Sequence, residues 1–186
     1  MPERKNILLT TSRRPTNRIR SFCRELAGSL PDIVRINRGK LNLDGIVEKA
    51  LEVDADRVVV VDRWKGGPGK IQFFLVKEIT LTPVPPIIYV RGIKLRREFE
   101  IKTRPTRSFV ITTSAENSFH VEKVAEFLAR FFNISMLPIQ QAASRYSASM
   151  HISTNALSRT IITFVLLPEF KEIGPRISAA RLGYFE

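Results

Sequence analysis

Seven basic residues, Arg4, Lys5, Arg13, Arg14, Arg18, Arg20 and Arg24, fall within twenty-one positions that hold no acid. Arg13, Arg14 and Arg18 surround the start of a helix, where the macrodipole is already positive and an isolated helix prefers Asp or Glu. Nothing local offsets them. A strand that turns into a helix N-terminus beneath such a cluster is a site for an anion, and the planar fork of a guanidinium suits phosphate. More cations follow in two further stretches: Arg38 and Lys40 in Asn37-Arg38-Gly39-Lys40, then Arg63, Lys65 and Lys70 around a glycine-rich turn from Asp62 to Lys70. Trp64 stands among the last group, either as a stacking platform for a base or as a ring folded back over the turn.

The elements that must hold these residues are legible as patterns. Ile7-Leu8-Leu9 reads as a buried strand, Thr10-Thr11-Ser12 as a polar turn, and Pro15 opens a helix whose core face is Ile19, Phe22, Cys23, Leu26 and Leu30. Asp32 to Ile36 is a second short strand. Leu43, Ile46, Val47, Ala50 and Leu51 mark a second helix with Asn42 as its cap. Val58 to Val61 is a continuous β-branched run, as in a strand covered on both faces of a parallel sheet, and Ile71 to Val76 returns antiparallel. The order β-α-β-α-β-β predicts an α/β layer whose first three loops leave from one sheet edge, where open α/β folds place ligands. Three distant segments then set their cations on one rim.

Other chemistries find little support. The glycine turn lacks the G-x-x-x-x-G-K-[ST] spacing of a phosphate loop and leads into a strand rather than a helix. His120 and His151, the only histidines, have no Cys, Asp or Glu at ligand spacing and read as surface or helix-cap residues, so no metal is expected. Ser12, Ser114 and Ser147 lack the glycines of a hydrolase nucleophile elbow. Cys23 is the only cysteine and lies on a core face, which leaves it a packing role. No catalytic residue and no cofactor is expected.

Composition agrees with a nucleic-acid partner. The 186 residues carry a formal charge of +12, and Arg outnumbers Lys by 20 to 10. An apolar share of 44 % supports a folded core. The first residues are polar and the apolar runs are too short to span a bilayer, so neither a signal peptide nor a membrane partner is expected.

From Lys77 to Arg107 the pattern loosens. Pro83, Pro85 and Pro86 break the apolar runs, Arg91 to Arg97 is a charged connection, and the waist of the molecule is expected here. Beyond it, Phe109-Val110-Ile111-Thr112-Thr113-Ser114 echoes Ile7 to Ser12 in step by 102 residues. A helix follows with Val121, Val124, Ala125, Leu128, Phe131 and Phe132 on its core face. A short strand from Ile134 to Leu137, a strong strand from Thr160 to Leu167 and a last strand from Ile177 towards Leu182 complete the pattern. The period is too long for a solenoid, so the chain reads as two similar halves, 4–92 and 107–186. Residues 114–122 are acidic and neutral where the first copy has arginines, which leaves the anion site to the first half.

Thr11-Ser12-Arg13-Arg14-Pro15-Thr16 with Phe22 and Glu25-Leu26, then Arg35-Ile36-Asn37-Arg38-Gly39, resembles the opening of a Brix domain. Glu172-Ile173-Gly174-Pro175-Arg176 with Arg181-Leu182-Gly183 resembles its close. The resemblance spans nearly the whole chain as a single domain, 1–186. It implies a ribosome biogenesis factor that binds ribosomal RNA and acts in pre-rRNA processing or subunit assembly. Ribosomal or assembly proteins are possible further partners. It also implies two duplicated α/β halves, each a small mixed sheet resembling the anticodon-binding domain of class II tRNA synthetases. The chain lacks the long charged tails of eukaryotic members and looks like the short archaeal form, which implies a cytoplasmic rather than a nucleolar protein. Arg176 is either an RNA contact or half of a structural ion pair. A tRNA-binding module and an RNA-modifying enzyme remain the alternative readings.

Overall fold

The computed structural model describes residues 5–101, 106–114 and 118–184. The chain divides into two compact units, one of residues 1–90 with 182–186 and one of residues 91–181.

In the first unit, β1 (Asn6–Thr11) pairs in parallel with β2 (Ile33–Arg35) on one side and β3 (Ala55–Trp64) on the other. β4 (Gly67–Lys77) returns antiparallel to β3, and β5 (Thr80–Lys94) antiparallel to β4. Helix α1 (Asn17–Ala27) buries Ile19, Phe22, Cys23 and Leu26. Helix α2 (Leu43–Glu52) buries Ile46, Val47 and Ala50; Ile46 and Ala50 pack on Leu8, Val58 and Val60. Both helices begin as local chemistry requires. Thr16 caps α1 by accepting from Ile19 N–H, and Asn42 caps α2 by accepting from Gly45 N–H at 2.9 Å. Burial pushes the Cys23 thiol up to about 12, which fits a packing role.

Several expectations need correction. Thr10 and Thr11 are not a turn but the buried end of β1, where Thr10 Oγ1 donates to the Ile36 carbonyl. The helix starts one residue after its Thr16 cap, so Pro15 precedes it. Leu43 and Leu51 are exposed because they stand at the two ends of α2, Leu43 at its first position and Leu51 one residue before its last. The glycine-rich stretch is mostly strand: Asp62 to Trp64 belong to β3, Gly67 to Lys70 to β4, and only Lys65-Gly66 turns. Both turn residues have positive φ, 46° and 86°, as two-residue hairpins require. Gly69 is the extra residue of a bulge, and a Cβ there would stand 2.2 Å from Trp64 Cβ.

Much of the stretch expected to be a waist is β5, fifteen residues long and containing all three prolines. Pro85 and Pro86 fall where the register against β4 shifts between Ile71 and Phe73, so Val84 faces Phe73 and Ile88 faces Ile71, while Pro83 pairs with Phe74. The unit boundary follows Val90. Arg96–Glu98 form a single 3-10 turn rather than an open connection.

The second unit runs β-α-β-α-β-β-β-β, the order of the first with one further short strand. β6 (Phe109–Thr113) pairs in parallel with β7 (Met136–Pro138) and β8 (Ala148–Thr154). β9 (Thr160–Leu166) is antiparallel to β8, while β10 (Lys171–Glu172) and β11 (Arg176–Gly183) both pair antiparallel with β9. Helix α3 (Phe119–Phe132) buries all six expected residues and ends on Asn133 in the left-handed region. The counterpart of α2 is one turn, α4 (Ile139–Ala142). The sequence pattern assigns no residues to β8 or α4. Among the described residues no helix is long and apolar enough to cross a membrane.

Candidate nucleic-acid interface

Because β1, β2 and β3 are mutually parallel, the segments that follow them leave from one edge of the first unit's sheet. Hydrogen bonds tie these segments together. Arg38, in the segment after β2, donates through Nη1 to the Thr11 carbonyl at 3.4 Å and through Nε to the Leu41 carbonyl at 2.7 Å. Arg63, near the end of β3, reaches the Arg14 carbonyl at 3.4 Å. Thr16 Oγ1 donates to the Gly66 carbonyl at 2.7 Å and so fixes the hairpin tip to the start of α1.

The cations around this edge differ in role. Arg13 and Arg14 are exposed between β1 and α1, Lys40 is exposed beyond Arg38, and Arg63 and Lys65 are exposed at the hairpin. Arg18 lies half-buried in the first turn of α1. Lys70 stands 3.4 Å from Asp62, so that pair is locally neutral. Arg38 is buried, with Nε and Nη1 on backbone carbonyls, and belongs to the floor rather than the rim. Its burial and the neighbouring Arg13 charge both lower its pKa, and Asp62 acts in the other direction. A second arginine beside a buried one is an arrangement that an anion would stabilise.

Ser12, Arg13, Arg38, Asn42, Asp44 and Asp62 line an open concavity at this edge. Ser12 Oγ is buried there without a hydrogen-bond partner among the described residues. Such a hydroxyl costs about 1–3 kcal/mol when left unsatisfied, so an oxygen ligand would be favoured. Neither Ser12 nor the Thr16 lock was identified as part of the site in the sequence. Thr three residues before a core-face Ile is the one signal that marks Thr16 as a cap. Trp64 is 67 % exposed at the end of β3, which makes it an available ring rather than one folded into the turn.

The second unit departs from expectation at two residues. Arg176 belongs to the second unit and forms an ion pair with Glu172, with its guanidinium carbon 5.5 Å from the Phe99 ring centroid. Gly174 makes room for that ring: a Cβ there would fall 2.5 Å from Phe99 Cε2. Of the two open readings of Arg176, the structure contains the ion pair. His151 is neither a surface nor a cap residue. It is half-buried in β8, with Nδ1 at 3.0 Å from Thr112 Oγ1 and Nε2 at 3.2 Å from Ser114 Oγ. The long-range pairing of β6 with β8 creates this setting. His120 is exposed in the first turn of α3. Among the described residues no three Cys, His, Asp or Glu side chains gather as metal ligands.

No protein-family model matches the chain. The probable Brix domain-containing ribosomal biogenesis protein of Methanopyrus kandleri is 30 % identical over 178 residues, covering 91 % of this chain and 90 % of that protein. The protein of the same description from Pyrobaculum aerophilum is 26 % identical, covering 95 % and 92 %. The crystal structure of a probable ribosomal biogenesis protein from Aeropyrum pernix K1 matches with a TM-score of 0.78 at 25 % identity, covering 97 % of both chains. The fold is also that of an archaeal Imp4-like protein, with a TM-score of 0.66 at 21 % identity.

Proposed function

The chain belongs to the Brix domain-containing ribosomal biogenesis proteins, and on that premise we propose that it binds ribosomal RNA and assists ribosomal subunit assembly without catalysing a reaction. The observation that carries this reading is the convergence of three basic segments at one sheet edge, tied by Arg38 to Thr11 and by Thr16 to Gly66. Arg13, Arg14, Lys40, Arg63 and Lys65 meet phosphate oxygens there, with Arg18 and Lys70 at the margin. Arg38 and Ser12 form the polar floor beneath one phosphate. Trp64 stacks on an unpaired base, as aromatic platforms do in single-strand binding. Arg176 acts structurally through Glu172. The RNA partner is pre-rRNA, with ribosomal or assembly proteins as further partners, in the cytoplasm of an archaeal cell. The recurrence of the order β1-α1-β2-α2-β3-β4-β5 in the second unit, with only the two-residue β10 added, supports an origin by duplication of one half.

The test is binding of a single-stranded rRNA oligonucleotide across a salt series, for the parent and for Arg13→Glu with Arg14→Glu. Loss of two phosphate contacts lowers the slope of log K against log salt by about 1.4 for a single strand. Because both side chains are exposed, the melting temperature stays unchanged. An unchanged slope and affinity would remove the first loop from the interface.

A further inference from the structure

In the first unit, α2 covers an apolar sheet face built from Leu8, Val58 and Val60. The corresponding face of the second unit has only the single turn α4 over one end, where Ala142 packs with Val110 and Leu167. The rest of that face is an open groove of about 530 Å³, inside the range of about 300–1,000 Å³ usual for small-molecule sites. Its surface is polar where the first unit's is apolar. His151, Thr163 and Arg176 point to it from β8, β9 and β11, and Glu172 from β10.

The side chains that line the groove carry no net charge, in a strongly basic chain. Glu172 is bonded to Arg176 and accepts from Thr163 Oγ1, so the one carboxylate and the one guanidinium cancel. His151 is lowered by its burial, which outweighs the opposing effects of Glu172 and the Thr112 hydrogen bond, and is neutral at pH 7. A phosphate finds no net positive charge among these lining residues, although Lys94 stands near enough to act on Glu172. A flat, uncharged ligand with donors and acceptors on its edge finds the Ser153 and Ser178 hydroxyls and the amide nitrogen of Asn155, whose Oδ1 already accepts from Leu157 and Arg159 N–H, with Ile161 and Val165 as apolar floor between them. At the lip stands Phe170, 51 % exposed and held at φ +56°, a left-handed conformation costly for an aromatic residue. The groove lies on a sheet face rather than along a strand edge, so an extended peptide could not add to the ladder there.

We propose that this groove is a second binding site, which takes one unpaired nucleobase, stacked on Phe170 and read at its edge by hydroxyl and amide groups. It rests on the RNA-binding reading only for the source of that base, because the recognition itself needs no phosphate.

The experiment uses the full chain, labelled with ¹⁵N, and follows amide shifts on adding each of the four ribonucleosides, inorganic phosphate, or a capped Ser-Thr-Asn hexapeptide. At least one ribonucleoside is expected to shift His151, Thr163 and Ser178 at millimolar concentration, while phosphate and the peptide leave them in place. Phe170→Ser weakens the effect roughly tenfold by removing the stacking face, and Ser178→Phe blocks it by filling the groove. The Arg13→Glu, Arg14→Glu variant binds ribonucleosides as the parent does, so a failure at the basic edge and a failure here are separable. No response to any ribonucleoside overturns the proposal, and so do shifts from phosphate or the peptide alone. Unchanged affinity in Phe170→Ser also overturns it.

Discussion

Thr16 Oγ1 donates to the carbonyl of Gly66 at 2.7 Å, fifty residues away in sequence, while accepting from Ile19 N–H at 3.4 Å. One hydroxyl therefore caps α1 and anchors the hairpin that carries Trp64 and Lys65. Thr16→Val keeps the shape and removes both bonds. The expected cost is about 1–2 kcal/mol of stability, measured by denaturant unfolding, with weaker RNA binding although no charge is lost. Thr16→Ser restores both. If Thr16→Val binds RNA as tightly as the parent, the hairpin need not be fixed to α1 for the interface to work.

Trp64 is exposed at the end of β3, and its removal leaves the core intact. Trp64→Ala should cost about 1–3 kcal/mol of binding to single-stranded RNA, with no change in melting temperature. Equal affinity of variant and parent in fluorescence titration would remove the ring from the contact.

Phe22 is fully buried beneath α1. Phe22→Ala should destabilise the protein by about 3–5 kcal/mol, read from urea unfolding, whereas charge changes on the exposed edge should not. A melt unchanged by this substitution would contradict the packing of α1 described above.

Acid should weaken the second unit in two stages. The folded pKa of His151 is lowered by burial, so above its unfolded value near 6.5 the residue is neutral in both states and contributes no pH dependence. As pH falls below that value the unfolded chain takes up the proton more readily, and stability is lost. Glu172 acts in the same direction at lower pH. Burial would raise its pKa, but the hydrogen bonds from Arg176 and Thr163, with the charges of Arg176 and Lys94, outweigh that and leave it lowered. The stability it contributes is present above the unfolded value near 4.5 and is lost as pH falls through the folded one. Thermal melts at pH 7.5 and 5.5 should show a drop that His151→Asn abolishes. A drop of equal size in that variant would assign the effect elsewhere.

Helices α1 and α3 were legible in the sequence because their stability is written locally. Ile19, Phe22, Cys23 and Leu26, and Val121, Val124, Ala125, Leu128, Phe131 and Phe132, repeat at helical spacing and all are buried. The strands β5 and β8 were not legible. Three prolines hide β5, and two of them, Pro85 and Pro86, are accommodated only by its register shift against β4. β8 places Ser149 and His151 where a core strand would carry apolar residues. Their partner, Thr112, lies thirty-seven and thirty-nine positions away, so hydropathy does not register the match. The same holds for the candidate site. Exposed loop cations could be read one by one, but the sinking of Arg38 onto the Thr11 and Leu41 carbonyls depends on contacts that no local pattern encodes.

The most direct test of the central claim is competition binding. Labelled rRNA fragments are titrated with the protein against unlabelled tRNA, from low to physiological salt. The account predicts that particular rRNA fragments are bound in preference to tRNA and that this preference survives at physiological salt. Equal binding of all RNAs that collapses steeply as salt rises would mean phosphate attraction alone, and would contradict specific recognition of ribosomal RNA by this chain.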